Sequence, residues 1–223
     1  EQLSYVKVWS LKDGAYTEGP ETLLEGQVIA LDSDVLWVQS DRWLGAYIVN
    51  DAGVVPLVGT LLDQTVISVV AQGRSLLVLD ANGINQYKVE VAPIPRISKQ
   101  FFNAISGYEK LAASGANIWL FSQNKVVSGS IIDSSGTIEL SEEVVNDVVL
   151  QQWVRDGEFI WAQVSNADMG QHWRAYRGTE VVALINDTSE VLSVSPGIIF
   201  TADQNRVMQR IVDVQYTGPA PGI

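Results

Sequence analysis

The chain of 223 residues contains no cysteine. That absence removes disulfides, thiolate metal sites and cysteine nucleophiles at once. Histidine is nearly absent too. His172 is the single copy, so a histidine-based triad would rest on it alone and a multi-histidine zinc centre is excluded. Basic residues are scarce: 14 Lys and Arg stand against 26 Asp and Glu, a formal charge of −12. Too few cations remain to neutralise phosphates, so neither nucleic acid nor an anionic membrane is an expected partner.

Long apolar runs are missing as well. No stretch approaches the roughly 18 residues that cross a bilayer, so membrane insertion is not expected. Residues Glu1 to Tyr5 lack the charged-then-apolar order of a signal peptide. Helical periodicity has almost no foothold, because apolar residues alternate or cluster briefly between closely spaced turn residues. The one segment where helix competes is Lys99 to Tyr108.

What is present is apolar mass. Hydrophobic residues make up 47% of the chain, with seven Trp, seven Tyr and five Phe, which is enough to build a sizeable core as one domain. The organising feature is a repeat. A short apolar motif ends at Trp37, Leu77, Trp119, Trp161 and Phe200, at intervals of 40, 42, 42 and 39. Eight residues before each anchor stands another apolar residue: Ile29, Val69, Leu111, Trp153 and Leu192. Between the two lies a turn signal, from Asp32 to Asp34, then Gly73, Gly115, Gly157, and Pro196 with Gly197. Apolar run, tight turn, apolar run is the signature of a β-hairpin. A second polar turn and a third strand follow each anchor, and a further glycine (Gly53, Gly136, Gly178) precedes a fourth.

Four strands recurring about every 41 residues point to blades stacked face to face. On its five anchors and their turns, over nearly its whole length, the chain resembles the broad β-propeller superfamily. The resemblance implies an all-β fold of four-stranded antiparallel blades, about five in this chain, closed by themselves or within a larger ring. A two-sheet β-sandwich is the architectural alternative, although it gives no reason for the register to return so evenly. The Trp-Asp, Tyr-Trp-Thr-Asp and sialidase-type signatures of named propeller families are all absent.

The propeller is expected over residues 1–214, with Pro- and Gly-rich residues 215–223 as an exit linker. SYVKVWSLKDG from Ser4 aligns with a third strand and AYTEG from Ala15 with a fourth. Both termini could thus complete one blade, yet NRVMQRIVDV from Asn205 also reads as a third strand.

Candidate chemistry is sparse. In a propeller, turns between second and third strands share a face with the links between blades. That places Asp168, Gln171, His172 and Trp173, in the long loop Asn166 to Trp173, and Arg42 with Trp43, as a ligand-binding surface for a glycan or a protein. Packing between blades is the competing reading for Trp43 and Trp173. Trp37, Trp119 and Trp161 are expected in the core. The carboxylates at Asp32, Asp34, Asp80, Glu142 and Glu143 read as exposed turn acids. Calcium ligation by Asp32 with Asp34, or at Asp80, lacks the twelve-residue loop pattern. No catalytic residue, metal or cofactor is assigned, because nucleotide, hydrolase and zincin motifs are absent. Asn186 opens a glycosylation sequon.

The expected function is a non-catalytic binding or scaffold propeller that presents loops to a protein or glycan. Its expected setting is a larger secreted or surface protein, extracellular, cell-surface or periplasmic. A propeller glycosidase or lyase with carboxylates in its channel is one alternative. A purely architectural domain is another.

Overall fold

The structure is a computed structural model, and it describes residues 2–123, 125–132, 137–141, 144–145, 148–156, 159–185, 190–195, 198–203 and 206–211. The Asn186 sequon, Gly136, Gly157, Glu142, Glu143, the Pro196–Gly197 turn and the 215–223 linker lie outside them. Every regular element among the described residues is a strand. The first sheet holds β1 (Leu3–Lys12) and β2 (Ala15–Glu25). The second runs in order through β3 (Gln27–Asp32), β4 (Val35–Ser40), β5 (Trp43–Asn50) and β6 (Gly53–Leu61). The third holds β7 (Val66–Gln72), β8 (Ser75–Asp80), β9 (Gly83–Glu90) and β10 (Arg96–Asn103). Residues 96–103, where helix competed in part, are therefore strand.

The fourth sheet orders β11 (Lys110–Ser114), β12 (Asn117–Phe121), β13 (Lys125–Ile132) and β14 (Thr137–Leu140), and the short β15 (Val144–Val145) also pairs with β13. The fifth holds β16 (Val149–Asp156), β17 (Phe159–Asn166), β18 (Gly170–Arg177) and β19 (Glu180–Ile185). The sixth holds β20 (Glu190–Ser195), β21 (Ile198–Asp203) and β22 (Arg206–Ile211). Neighbours within each sheet are consecutive in sequence, as in the meander of a propeller blade. Both segments that read as third strands are strands: β21 takes β22 as its neighbour, and β1 pairs with β2.

The chain divides into two units, residues 1–107 with 133–137, and residues 108–132 with 138–223. In the first, the second and third sheets bury a common core of Val35, Trp37, Leu44, Leu76, Val78 and Tyr87. The opposite face of the second sheet packs Leu36, Val38 and Val54 against Leu24, Val6 and Val8 of the first. In the second unit, Trp119 and Phe121 of the fourth sheet pack with Leu150, Ile160, Ala162, Val164 and Tyr176. A central strand covered on both faces loses the apolar–polar alternation of a half-buried one. This is why VLWV, LLVL, NIWLF and IWAQV read as near-continuous apolar runs. Trp37, Trp119 and Trp161 are fully buried, as expected.

Candidate functional site

Arg42 and Trp43 follow the turn between β4 and β5. The Arg42 guanidinium donates from Nε and Nη2 to the carbonyl of Leu62, at 3.0 and 2.8 Å, and from Nη2 to that of Asp63 at 3.1 Å. It clamps the link between two sheets, satisfying carbonyls that no strand pairs. Trp43 is 37% exposed. Its indole lies across Gly45 and Gly59, a directly paired cross-strand couple, and a Cβ on either would overlap the ring. One face of the indole is therefore seated on backbone. These two glycines serve close approach.

Asp168 and Gln171 are exposed on the β17–β18 hairpin, where the Asn166 side chain accepts a hydrogen bond from the Met169 N–H at 2.8 Å. The loop is shorter than expected, since Asn166 already pairs with Gly170 and Val164 with His172. His172 and Trp173 are consequently strand residues, pointing to opposite faces of a sheet covered on both sides. Both are buried, which corrects the expectation that they project as a ligand surface. His172 Nε2 accepts from Arg174 Nε at 2.9 Å, and its Nδ1 faces the Gly170 carbonyl at 3.0 Å. The two contacts together fit the Nδ1–H tautomer. Trp173 packs with Trp161, Ala175 and Val182.

The carboxylates divide between turns and ties. Asp80 is buried rather than exposed, because it accepts from the N–H groups of Asn82 and Gly83 and from Asn85 Nδ2, closing the β8–β9 turn. Asp32 accepts from the Gly73 N–H, and Asp34 pairs with Arg74 at 2.7 Å. Arg74 holds the Asp34 carboxyl below its usual range, chiefly through that hydrogen bond. Among the described residues no cluster of three His, Cys, Asp or Glu is placed to hold a metal ion.

One concavity escaped the sequence reading. A cleft of about 520 Å³ is lined by Asn117, Trp119, Ser128, Glu139, Ser141 and Arg177, with Gly178 at its edge. Ser128 Oγ and Ser141 Oγ are 3.1 Å apart, and the Trp119 indole N–H donates to the Gly178 carbonyl at 2.7 Å. Hydroxyls, an amide, a carboxylate and a guanidinium could together bind a small polar molecule. The signal in the sequence was the small-residue run Ser128-Gly129-Ser130 opposite an anchor tryptophan.

Comparison with solved structures settles the architecture. The 6-phosphogluconolactonase-like protein of Bacteroides fragilis superposes with a TM-score of 0.60 at 12% identity, covering 94% of this chain and 78% of its own. The chain has a β-propeller fold. A functionally unknown protein from Desulfotomaculum acetoxidans matches at 0.60 and 12% identity, over 93% of this chain and 75% of that one. Hsv2 of Kluyveromyces lactis matches at 0.56 and 9% identity, and there the chain covers 63% of the neighbour, just under two thirds. Such low identities carry the fold alone, and the neighbours differ in what they are. No family model and no curated protein sequence matches the chain.

Proposed function

We propose that this propeller is a non-catalytic interaction module whose partner is a protein. The observation that carries the reading is the outer face of the first sheet. Alternate residues of β1 divide cleanly: Val6 and Val8 pack against the second sheet, whereas Leu3, Tyr5, Trp9 and Leu11 are exposed, Tyr5 by 69% and Trp9 by 53%. Cross-strand pairing sets Leu23 beside Tyr5, and Tyr16 beside Leu11. Aromatic side chains standing in a row in water are the anchors from which interfaces are built. The lone histidine is committed to Gly170 and Arg174, and Asp80 to its turn, which speaks against acid–base chemistry at either.

A photo-crosslinking amino acid in place of Tyr5 tests this in cells of the protein's source. A discrete cross-linked protein is expected from Tyr5 and not from the equally exposed loop residue Ile94. Identical patterns from both positions would remove the reading. A glycan partner is the second reading, favoured by the single exposed face of the Trp43 indole, which suits stacking on a sugar ring.

A further inference from the structure

We propose that the partner segment covering the first sheet is basic, with apolar anchors flanked by Lys or Arg. This rests on the protein-partner reading and specifies its chemistry. The second and third sheets cover one apolar face of each other, and so do the fourth and fifth. The outer face of β1 and β2 meets water, and it is not uniformly apolar. Glu25, Glu21 and Glu18 stand directly opposite Leu3, Lys7 and Trp9, and directly opposed residues share a face. Three carboxylates therefore sit among Leu3, Tyr5, Trp9, Leu11, Leu23 and Tyr16, against the single ammonium of Lys7.

That ammonium is already engaged. Lys7 pairs with Glu18 and lies 5.7 Å from the centre of the Trp9 ring, and the Glu18 hydrogen bond foremost raises its pKa. Glu21 and Glu25 keep a negative field over the apolar row. A second copy of this chain is a poor occupant, because each carries −12 and would set carboxylates against carboxylates. A basic segment gains twice, since its cations meet Glu21 and Glu25 while its apolar side chains cover Tyr5 and Trp9. The irregularity in the β1–β2 ladder falls on β2, where Gly19 and Pro20 stand against Val8, so the exposed residues of β1 keep their alternation.

The test is a binding titration of the whole chain with two labelled peptides. Both carry Leu and Trp anchors; one has Lys and Arg flanks and the other Glu at the same places. The basic peptide should bind and the acidic one should not. Trp9→Ser should weaken binding about tenfold or more, as expected of a central aromatic anchor. Glu21→Lys should weaken it several-fold, while Glu109→Lys, the same charge change in the other unit, should leave it within about twofold. Equal losses from Glu21→Lys and Glu109→Lys would reduce the effect to bulk charge and overturn the proposal, as would an unchanged affinity for Trp9→Ser. If the basic peptide fails to bind while the Tyr5 position still cross-links a protein, the basic chemistry falls and the protein-partner reading stands. Failure of both experiments removes both.

Discussion

Asp32 accepts a hydrogen bond from the backbone N–H of Gly73 at 3.0 Å, and the two residues are 41 positions apart, one full repeat of the chain. Beside them Asp34 and Arg74 repeat the tie through side chains, at an interval of 40. The first turn of one sheet is thus fastened to the first turn of the next. Asp32 and Asp34 are thus occupied in joining repeats.

The Asp34–Arg74 tie gives a pH signature. The Asp34 carboxyl has its pKa lowered below the ordinary 3.8 by Arg74. A depressed folded-state value stabilises the fold above the unfolded pKa, and that contribution disappears as pH falls through the folded value. Asp34→Asn should therefore lower the melting temperature slightly near about pH 7, and that difference should shrink steadily as pH falls below 3.8. Added salt should shrink the difference at neutral pH, because the pair is solvent-exposed. A difference that stays the same or grows as the solution is acidified would contradict the assignment.

The anchor tryptophans are chemically unequal. Trp119 donates to the Gly178 carbonyl, whereas the buried Trp37 indole N–H has no partner among the described residues. Trp119→Phe should therefore cost about 1 kcal/mol more than Trp37→Phe in denaturant unfolding. Truncation to Ala at either site should cost about 3–5 kcal/mol. Equal costs for the two Phe variants would deny the Gly178 bond any net value.

Trp43 and Gly59 should be energetically coupled. Adding a methyl at Gly59 displaces the indole, so Gly59→Ala should destabilise the wild type. In a Trp43→Ala background it should do little, giving a coupling of about 1 kcal/mol in a double-mutant cycle. Strict additivity would mean that the ring does not rest on the glycine pair.

Burial of the β18 pair predicts stability effects instead of binding effects. Trp173→Ala should lower stability by about 3–5 kcal/mol. His172→Ala should cost about 1–3 kcal/mol by removing the acceptor for Arg174 Nε. Unfolding midpoints unchanged from wild type would return both residues to the surface.

Ser33 adopts a φ of +54°, where the following repeats carry Gly73 at +56° and Gly115 at +57°. The left-handed region strains a side-chain-bearing residue. Ser33→Gly should raise stability by about 0.5 kcal/mol, the relief slightly exceeding the added freedom of the unfolded chain. A lower melting temperature would refute this.

The repeat was legible because each turn needs residues of special backbone geometry and each covered strand needs a dense apolar run. Trp37, Leu77, Trp119 and Trp161 could be located from those two demands alone. The hairpin at Asn166 is tighter than its polar composition suggests. Asn166 closes a tight turn with its own side chain, and the polar His172 enters a covered strand because Arg174, two residues on and on the same face, satisfies it. Alternation by two was the available signal. Arg42 was legible as a turn cation but not as a clamp, since its acceptors are carbonyls twenty positions away. The terminal sheets were ambiguous because two segments fit one slot, and only hydrogen-bond register separates them.

The contrast between covered and open strands divides the seven indoles into optical classes. Trp37, Trp119, Trp161 and Trp173 sit out of reach of a water-borne quencher such as iodide, Trp153 is half-buried, and Trp9 and Trp43 meet the quencher directly. Native emission is then a composite of blue and red components. A partner that settles on β1 would silence quenching at Trp9 and leave the blue component untouched, so the protein carries its own reporter for occupancy of that strand.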